Sequence, residues 1–322
     1  MMYQPTLVSI FIPTRNGRKD LERLLPVLFG QQVAFPFEVV CIDSSSTDGT
    51  WELLGNYPIS RKRIAAADFS HGGTRNNGIA MSKGEIVVLL TQDALPIGNN
   101  WLSRLISNYE DSTVAGVYCR QVPRLDGTLL PKIDARLMLA GRAERFENRL
   151  SEHPEYFKLP PDEGRVLCNF DNICSSLRRS VWERIPFAPL QFAEDLEWGK
   201  RVFEANYTIV YDPEVQVMHS HDRSFAYEFK RSFVTFKVLD DLLSRGNDNF
   251  GFRLAFQSIV FAPRHLRPVY PELAETKWQE RIQCYFIIAA RALGHAFFNL
   301  WHRRYRNTQW GQQIMVMLHR NV

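Results

Sequence analysis

Short apolar runs alternate with segments of helical spacing along the first two thirds of the chain. Residues 7–12 are an apolar run closed by Pro13-Thr14-Arg15-Asn16-Gly17, which predicts a strand and a turn. Over 20–29, Leu21, Leu24, Leu25 and Leu28 recur at helical spacing. Residues 37–42 predict a second strand, ended by the polar stretch from Asp43 to Thr50, and Trp51, Leu53 and Leu54 begin the next helix. A weak third strand is expected at 64–66, and a helix from His71-Gly72-Gly73-Thr74-Arg75 through Met81. Ile86, Val87, Val88, Leu89 and Leu90 are consecutive and rich in β-branched types, the pattern of a strand buried on both faces. Gln92 and Asp93 follow it, and 100–109 is again helical. Such alternation with short connections argues for a mainly parallel α/β sheet with right-handed crossovers. Asp93 then sits at the carboxyl end of a central strand, where open α/β sheets bind ligands.

The pattern continues less regularly. Residues 120–156 are polar and irregular, with helical patches around 135–149. Residues 170–179 read as a strand that enters a site and returns with the basic end Arg178-Arg179. Glu194 and Asp195 open a helical stretch, where the backbone macrodipole alone already favours acids. A strand at 207–211 is followed by Asp212-Pro213, then by an alternating run that ends in His219-Ser220-His221. Extended backbone puts those two histidines on one face. Phe229, Phe233, Phe236, Leu239 and Leu243 mark one face of a helix over 225–243. A breaker-rich link at 263–271 precedes a long aromatic helix over 278–306 with a basic end.

Composition narrows the class. The 322 residues carry 23% charged and 45% hydrophobic side chains, enough for a full core. A net charge of +4 does not suggest nucleic-acid binding. Five scattered cysteines, at 41, 119, 168, 174 and 284, lack metal-site spacing and read as small core residues in a reducing cytoplasm. No secretory leader is expected, and Arg291 with His295 argues against a spanning helix at 284–301. A nicotinamide-dehydrogenase reading fails, because the first turn has one glycine where a G-x-G-x-x-G loop is needed. A carboxylate at Asp93 can instead hold a hard divalent cation, and the cation a diphosphate.

Four segments then carry a resemblance: Val8 to Gly17, Val40 to Thr50, Arg75-Asn76-Asn77-Gly78 and Leu89 to Ala94. In order and spacing they are similar to the successive signatures of glycosyltransferase family 2, over about residues 7–222. The pairing of His71-Gly72-Gly73-Thr74-Arg75-Asn76 with Thr91-Gln92-Asp93-Ala94-Leu95-Pro96 resembles the dTDP-L-rhamnose-dependent rhamnosyltransferases of that family. The resemblance implies a GT-A nucleotide-sugar fold at 1–224, with a nucleotide-binding part at about 1–118 and an acceptor part at about 119–224. A helical extension would occupy 225–322, lying on a membrane surface or packed on the catalytic domain or a second subunit.

The same resemblance assigns roles. Pro13, Thr14 and Arg15 line the base pocket, Asp43 accepts the N3 hydrogen of a pyrimidine, and Ser44 stands where the family often has a second acid for the ribose. Arg75 and Gln92 join the nucleotide side, Arg75 by clamping a phosphate or orienting Asp93. Asp93, with His219 or His221, is expected to hold Mg2+ or Mn2+; Thr91 replaces the first acid of the family's paired-acid motif. His71, Gly72, Asn172 and Glu194 fall near the donor sugar or acceptor. Asp195 is the expected general base of an inverting transfer to a saccharide or lipid-linked acceptor. A UDP-hexose donor and a non-catalytic nucleotide-sugar scaffold stay open as alternatives. The expected location is the cytoplasm, at or near the inner face of the cell membrane.

Overall fold

The computed structural model describes residues 7–124, 127–129, 132–133, 138–221, 223–243, 277–305 and 308–319. The chain forms two compact units, residues 1–124 with 135–220 and residues 125–134 with 221–322.

The first unit begins β1 (Val8–Thr14), α1 (Arg18–Phe29), β2 (Phe37–Asp43), α2 (Thr50–Leu54), β3 (Ile59–Arg63), α3 (His71–Met81) and β4 (Ile86–Leu90). It continues β5 (Leu95–Pro96), α4 (Trp101–Ser107), β6 (Val114–Val122), β7 (Phe146–Asn148), α5 (Pro161–Cys168), β8 (Cys174–Arg178), α6 (Arg179–Trp182), α7 (Glu194–Glu204) and β9 (Thr208–Met218). One sheet runs β3-β2-β1-β4-β8-β6-β9-β5, with β7 beside β9. Its first four strands are parallel, and β8 enters antiparallel between β4 and β6.

The alternation along β1 explains the layers. Val8, Ile10 and Ile12 join the cluster under α1 and α4, built with Leu21, Leu24, Leu25, Leu28, Trp101 and Leu105. Four fully buried leucines on α1 are worth about 1.5–3 kcal/mol each relative to exposure, so the helix is held by its apolar stripe. All five residues of β4 are buried, as a strand covered on both faces must be. Cys41, Cys119, Cys168, Cys174 and Cys284 are all buried thiols outside any disulfide.

Three local expectations change. The third strand lies at Ile59–Arg63, not 64–66, because β2 register places Val39 to Asp43 beside it and only its partial burial is visible in sequence. Residues 138–149 form a short 3-10 turn at Leu139–Gly141 and then β7, not α-helix; pairing with β9 overrides the helical spacing. Asp212-Pro213 does not end a strand. It sits in a register shift between the Cys119–Asp212 and Arg120–Gln216 pairs, and β9 continues to Met218.

The second unit contains α8 (Phe225–Leu243), α9 (Trp278–Arg304) and α10 (Gln309–His319). Phe229 and Phe233 of α8 pack on Phe297, and Phe233 also meets Phe298 and Trp301. Glu228 pairs with Arg291 at 2.7 Å, which satisfies the charges inside this helix pair. The breaker-rich 263–271 stretch lies outside the described residues. Among the described residues, no helix is long and apolar enough to cross a membrane.

Candidate active site

Parallel register brings the ends of β1, β2 and β4 to one edge. Thr14 lies opposite Asp43, and β4 runs beside β1 up to Leu89 before delivering Gln92 and Asp93. Gln92 is a latch. Its Oε1 accepts from the Thr14 hydroxyl at 2.7 Å and from the Arg15 N–H at 2.9 Å, and its Nε2 donates to the Arg15 carbonyl at 3.2 Å. This close approach requires Gly17, where a Cβ would stand 2.2 Å from Gln92 Oε1. Gln92 therefore shapes the turn after β1 through its own side-chain amide; Thr14 is buried, Pro13 half-buried and Arg15 exposed.

Asp43 is enclosed. Its carboxylate accepts from the Ser46 hydroxyl and N–H and pairs with Arg63 at 2.9 Å, leaving the side chain 0% exposed. Arg63 in turn lies over the Trp51 ring at 4.6 Å. A nucleobase reaches Asp43 only by displacing Ser46 or Arg63, partners that sequence reasoning did not supply. Beside it, the buried Ser44 hydroxyl has no hydrogen-bond partner among the described residues.

The start of α3 meets the start of α7. Gly72 is buried, and a Cβ there would lie 1.8 Å from the Ala188 carbonyl oxygen, so only glycine fits. Arg75 Nη1 pairs with Glu194 Oε1 at 2.7 Å and also donates to the His71 carbonyl. The roles expected of Arg75 toward a phosphate or Asp93, and of Glu194 toward a sugar, did not include this buried ion pair. Asn172 is likewise buried. Its Nδ2 donates to Glu194, its Oδ1 accepts from Ser175, and its N–H donates to Asp195 Oδ2 at 3.3 Å. Burial holds His71 below the usual imidazole range, so its ring is neutral near pH 7.

Asp195 is the perturbed group. Burial, then Glu194 and then Asp171 push its carboxyl up to about 7, while Arg75 and the Leu196 N–H oppose them. The residue is half-buried, and its oxygens accept from the Leu196 and Asn172 N–H groups. Ala193, immediately before, has φ 57°, a left-handed conformation that aims the two acids from the helix start at a cost of roughly 1–2 kcal/mol for a residue with a Cβ. Asp171, given no role in the sequence reading of 170–179, is also raised by burial. Its only sequence signal is an acid next to Asn172.

The far end of β9 completes the edge. Leu95 and Pro96, two and three residues after Asp93, pair with Met218 and Val217. That short ladder carries His219 to Asp93, with Nε2 3.7 Å from Asp93 Oδ2. This separation is too long for a hydrogen bond. One ligand atom each of Asp93, His219 and His221 lies within 4.8 Å of the others. A carboxylate with two imidazoles is a donor set that accommodates Mn2+ and related divalent ions, so the residues fit a cation. Asp20 of α1 shares a cleft with Asp93, Arg23 and Arg124, and burial followed by Asp93 raises its carboxyl.

The family signature described as Glycosyl transferase family 2 matches residues 9–185. The chain belongs to glycosyltransferase family 2. This glycosyltransferase is 33% identical over 261 residues to the O-antigen chain rhamnosyltransferase WbaN of Salmonella anatum, covering 79% of this chain and 80% of that protein. It is 30% identical over 264 residues to the O-antigen chain rhamnosyltransferase RfbN of Salmonella typhimurium, with coverage of 79% and 81%. Among solved structures, it matches the mannosyltransferase PcManGT from Pyrobaculum calidifontis, solved with GDP-Man and Mn2+, at TM-score 0.59 and 18% identity over 94% of this chain and 89% of that one. The S. aureus TarS fragment 1–349 gives a TM-score of 0.52 at 15% identity, covering 92% and 91%. These structural likenesses establish the GT-A fold of the glycosyltransferase.

Proposed function

We propose that this glycosyltransferase transfers L-rhamnose from dTDP-L-rhamnose, with inversion, to a hydroxyl of a saccharide or lipid-linked saccharide in surface-polysaccharide synthesis. The observation that carries the reading is Asp195. A carboxylate raised to about 7 and fixed at the start of α7 is matched to general-base work near neutral pH. Asp195 takes the proton of the acceptor hydroxyl as that oxygen bonds to the anomeric carbon. The bond from that carbon to the nucleoside diphosphate breaks, and its electron pair leaves with the diphosphate. A single displacement of this kind inverts the anomeric centre.

The rhamnose assignment draws on the two rhamnosyltransferase relatives and on the His71 to Asn76 and Thr91 to Pro96 segments. The turn from Pro13 to Gly17, latched by Gln92, and the region of Ser44 would receive the nucleoside. Asp93, with His219 and His221, would hold Mg2+ or Mn2+. A bound cation there supplies positive charge to the departing diphosphate. Gly72, Asn172 and Glu194 support the site from behind, with Arg75. The exposed row Trp278, Ile282 and Phe286 on α9 would rest against the inner face of the cell membrane.

The test is transfer from dTDP-L-rhamnose and UDP-glucose, each to a saccharide acceptor, with wild type and Asp195→Asn. Rhamnosyl transfer that falls 10²–10⁴-fold in the variant, at unchanged donor binding, is the expected result. Transfer from the UDP-sugar alone would move the donor assignment. Nucleotide binding without any turnover would leave a scaffold.

A further inference from the structure

We propose that Gln121 is a positioning residue that sets the tautomer of His219 and so presents the Nε2 lone pair toward Asp93. This rests on the reading of Asp93 and His219 as cation ligands.

Strand register puts the residues together. Gln121 of β6 lies beside Val217 of β9, and the His219 N–H donates to the Val122 carbonyl at 2.9 Å. His219 is two residues beyond Val217 and so shares its face with Gln121. The Gln121 side chain, buried to 5% exposure, then bridges two neighbours. Its Nε2 lies 2.9 Å from Asp171 Oδ2, and its Oε1 lies 3.1 Å from His219 Nδ1.

The chemistry of these groups fixes their direction. Asp171 already accepts from the Ile173 N–H at Oδ1, and in its ionised form Oδ2 also only accepts, so the end of the amide facing it is the NH2. The end facing His219 is then the carbonyl, which can only accept. His219 Nδ1 must carry the proton. In the neutral ring the lone pair is left on Nε2, the atom 3.7 Å from Asp93 Oδ2. The polarity passes from carboxylate to amide to imidazole. The Ile173 N–H anchors its origin by donating to Asp171 Oδ1 at 3.0 Å. Without the amide, a neutral ring gains by moving its proton to Nε2 and donating toward Asp93, which would close the ligand position. Outer partners that fix a histidine in this way typically contribute 10–100-fold to metal affinity.

The experiment uses full-length protein with 15N-labelled histidine. Imidazole NMR without metal reads the tautomer, and electron paramagnetic resonance reads the binding of Mn2+ alone. Wild type should show His219 with a protonated Nδ1 and a lone pair on Nε2. Gln121→Met, close in shape but without an acceptor, should shift the ring toward the other tautomer and weaken Mn2+ binding about 10–100-fold. Gln121→Glu keeps an acceptor facing Nδ1 and should retain the wild-type tautomer, which also guards against a Met variant that folds poorly. A wild-type ring with its lone pair on Nδ1 would overturn the proposal. So would a Gln121→Met protein with unchanged tautomer and Mn2+ affinity. Mn2+ binding undiminished in His219→Ala would refute the cation reading itself. That failure is distinguishable, because the tautomer is measured without metal.

Discussion

Arg75 Nη1 stands 2.7 Å from Glu194 Oε1, with the two side chains 7% and 5% exposed. The pair joins the N-terminal half of α3 to the first turn of α7. Removing one partner strands the other charge in the interior. Arg75→Met should therefore cost about 3–5 kcal/mol in urea unfolding. Arg75→Met combined with Glu194→Met should recover most of that loss, since two apolar side chains replace a pair that was costly to desolvate. Equal loss in the single and double variants would mean that packing, not charge, holds the junction.

Asp195 makes a pH prediction in both activity and stability. Its folded pKa of about 7 lies above the ordinary aspartate value of 3.8, so between those values the native state binds more protons than the unfolded one. Stability must then fall as pH rises through this window. Asp195→Asn should flatten the decline in melting temperature from pH 5 to 8. Transfer should rise over the same range with a midpoint near 7, because the base must be ionised. Arg75 lowers the Asp195 pKa, so a folded Arg75 variant should move the midpoint upward. A wild-type rate profile flat from pH 5 to 8 would remove Asp195 from the base role.

Much of the first half was legible because its signals are local. Leu21, Leu24, Leu25 and Leu28 announce α1, and the continuous run of β4 announces burial on both faces. Asp93 at a strand end and Asp195 at a helix start followed from the same reading. What could not be read was who meets whom. The Arg75–Glu194 pair spans 119 positions of sequence, and the enclosure of Asp43 depends on Arg63 from a neighbouring strand. Gln121 looks like an ordinary polar residue near the end of a strand until β9 pairing places His219 beside it. Asp212-Pro213 misleads for a related reason. A bulge admits a proline within a strand that sequence alone would end.

The proposed membrane contact makes its own prediction. Trp278, Ile282 and Phe286 are 63%, 43% and 62% exposed and recur every four residues, so they form one row on α9. Apolar and aromatic rows of this kind insert at the headgroup boundary. Wild type should co-sediment with phosphatidylglycerol vesicles, and Trp278→Ala with Phe286→Ala should weaken binding at least roughly tenfold, at about 25 cal/mol per Å² of apolar area lost. Unchanged co-sedimentation in a variant that melts like wild type would assign the row another role.

The cation and nucleotide can be separated by thermal stability. A ligand at about 100 times its dissociation constant adds about 2.7 kcal/mol to the folded state, a shift of several degrees for a unit this size. Melting should be followed with dTDP, UDP and GDP, each with and without Mn2+, in wild type, Asp93→Ala and His219→Ala. The expected pattern is a dTDP shift that grows with Mn2+ in wild type and keeps only its metal-independent part in both variants. Loss in Asp93→Ala alone would leave that carboxylate as the dominant ligand and remove His219 from the site. A UDP shift larger than the dTDP shift would favour a UDP-hexose donor. No shift with any nucleotide would place the edge formed by Thr14, Ser44 and Asp93 outside nucleotide binding altogether.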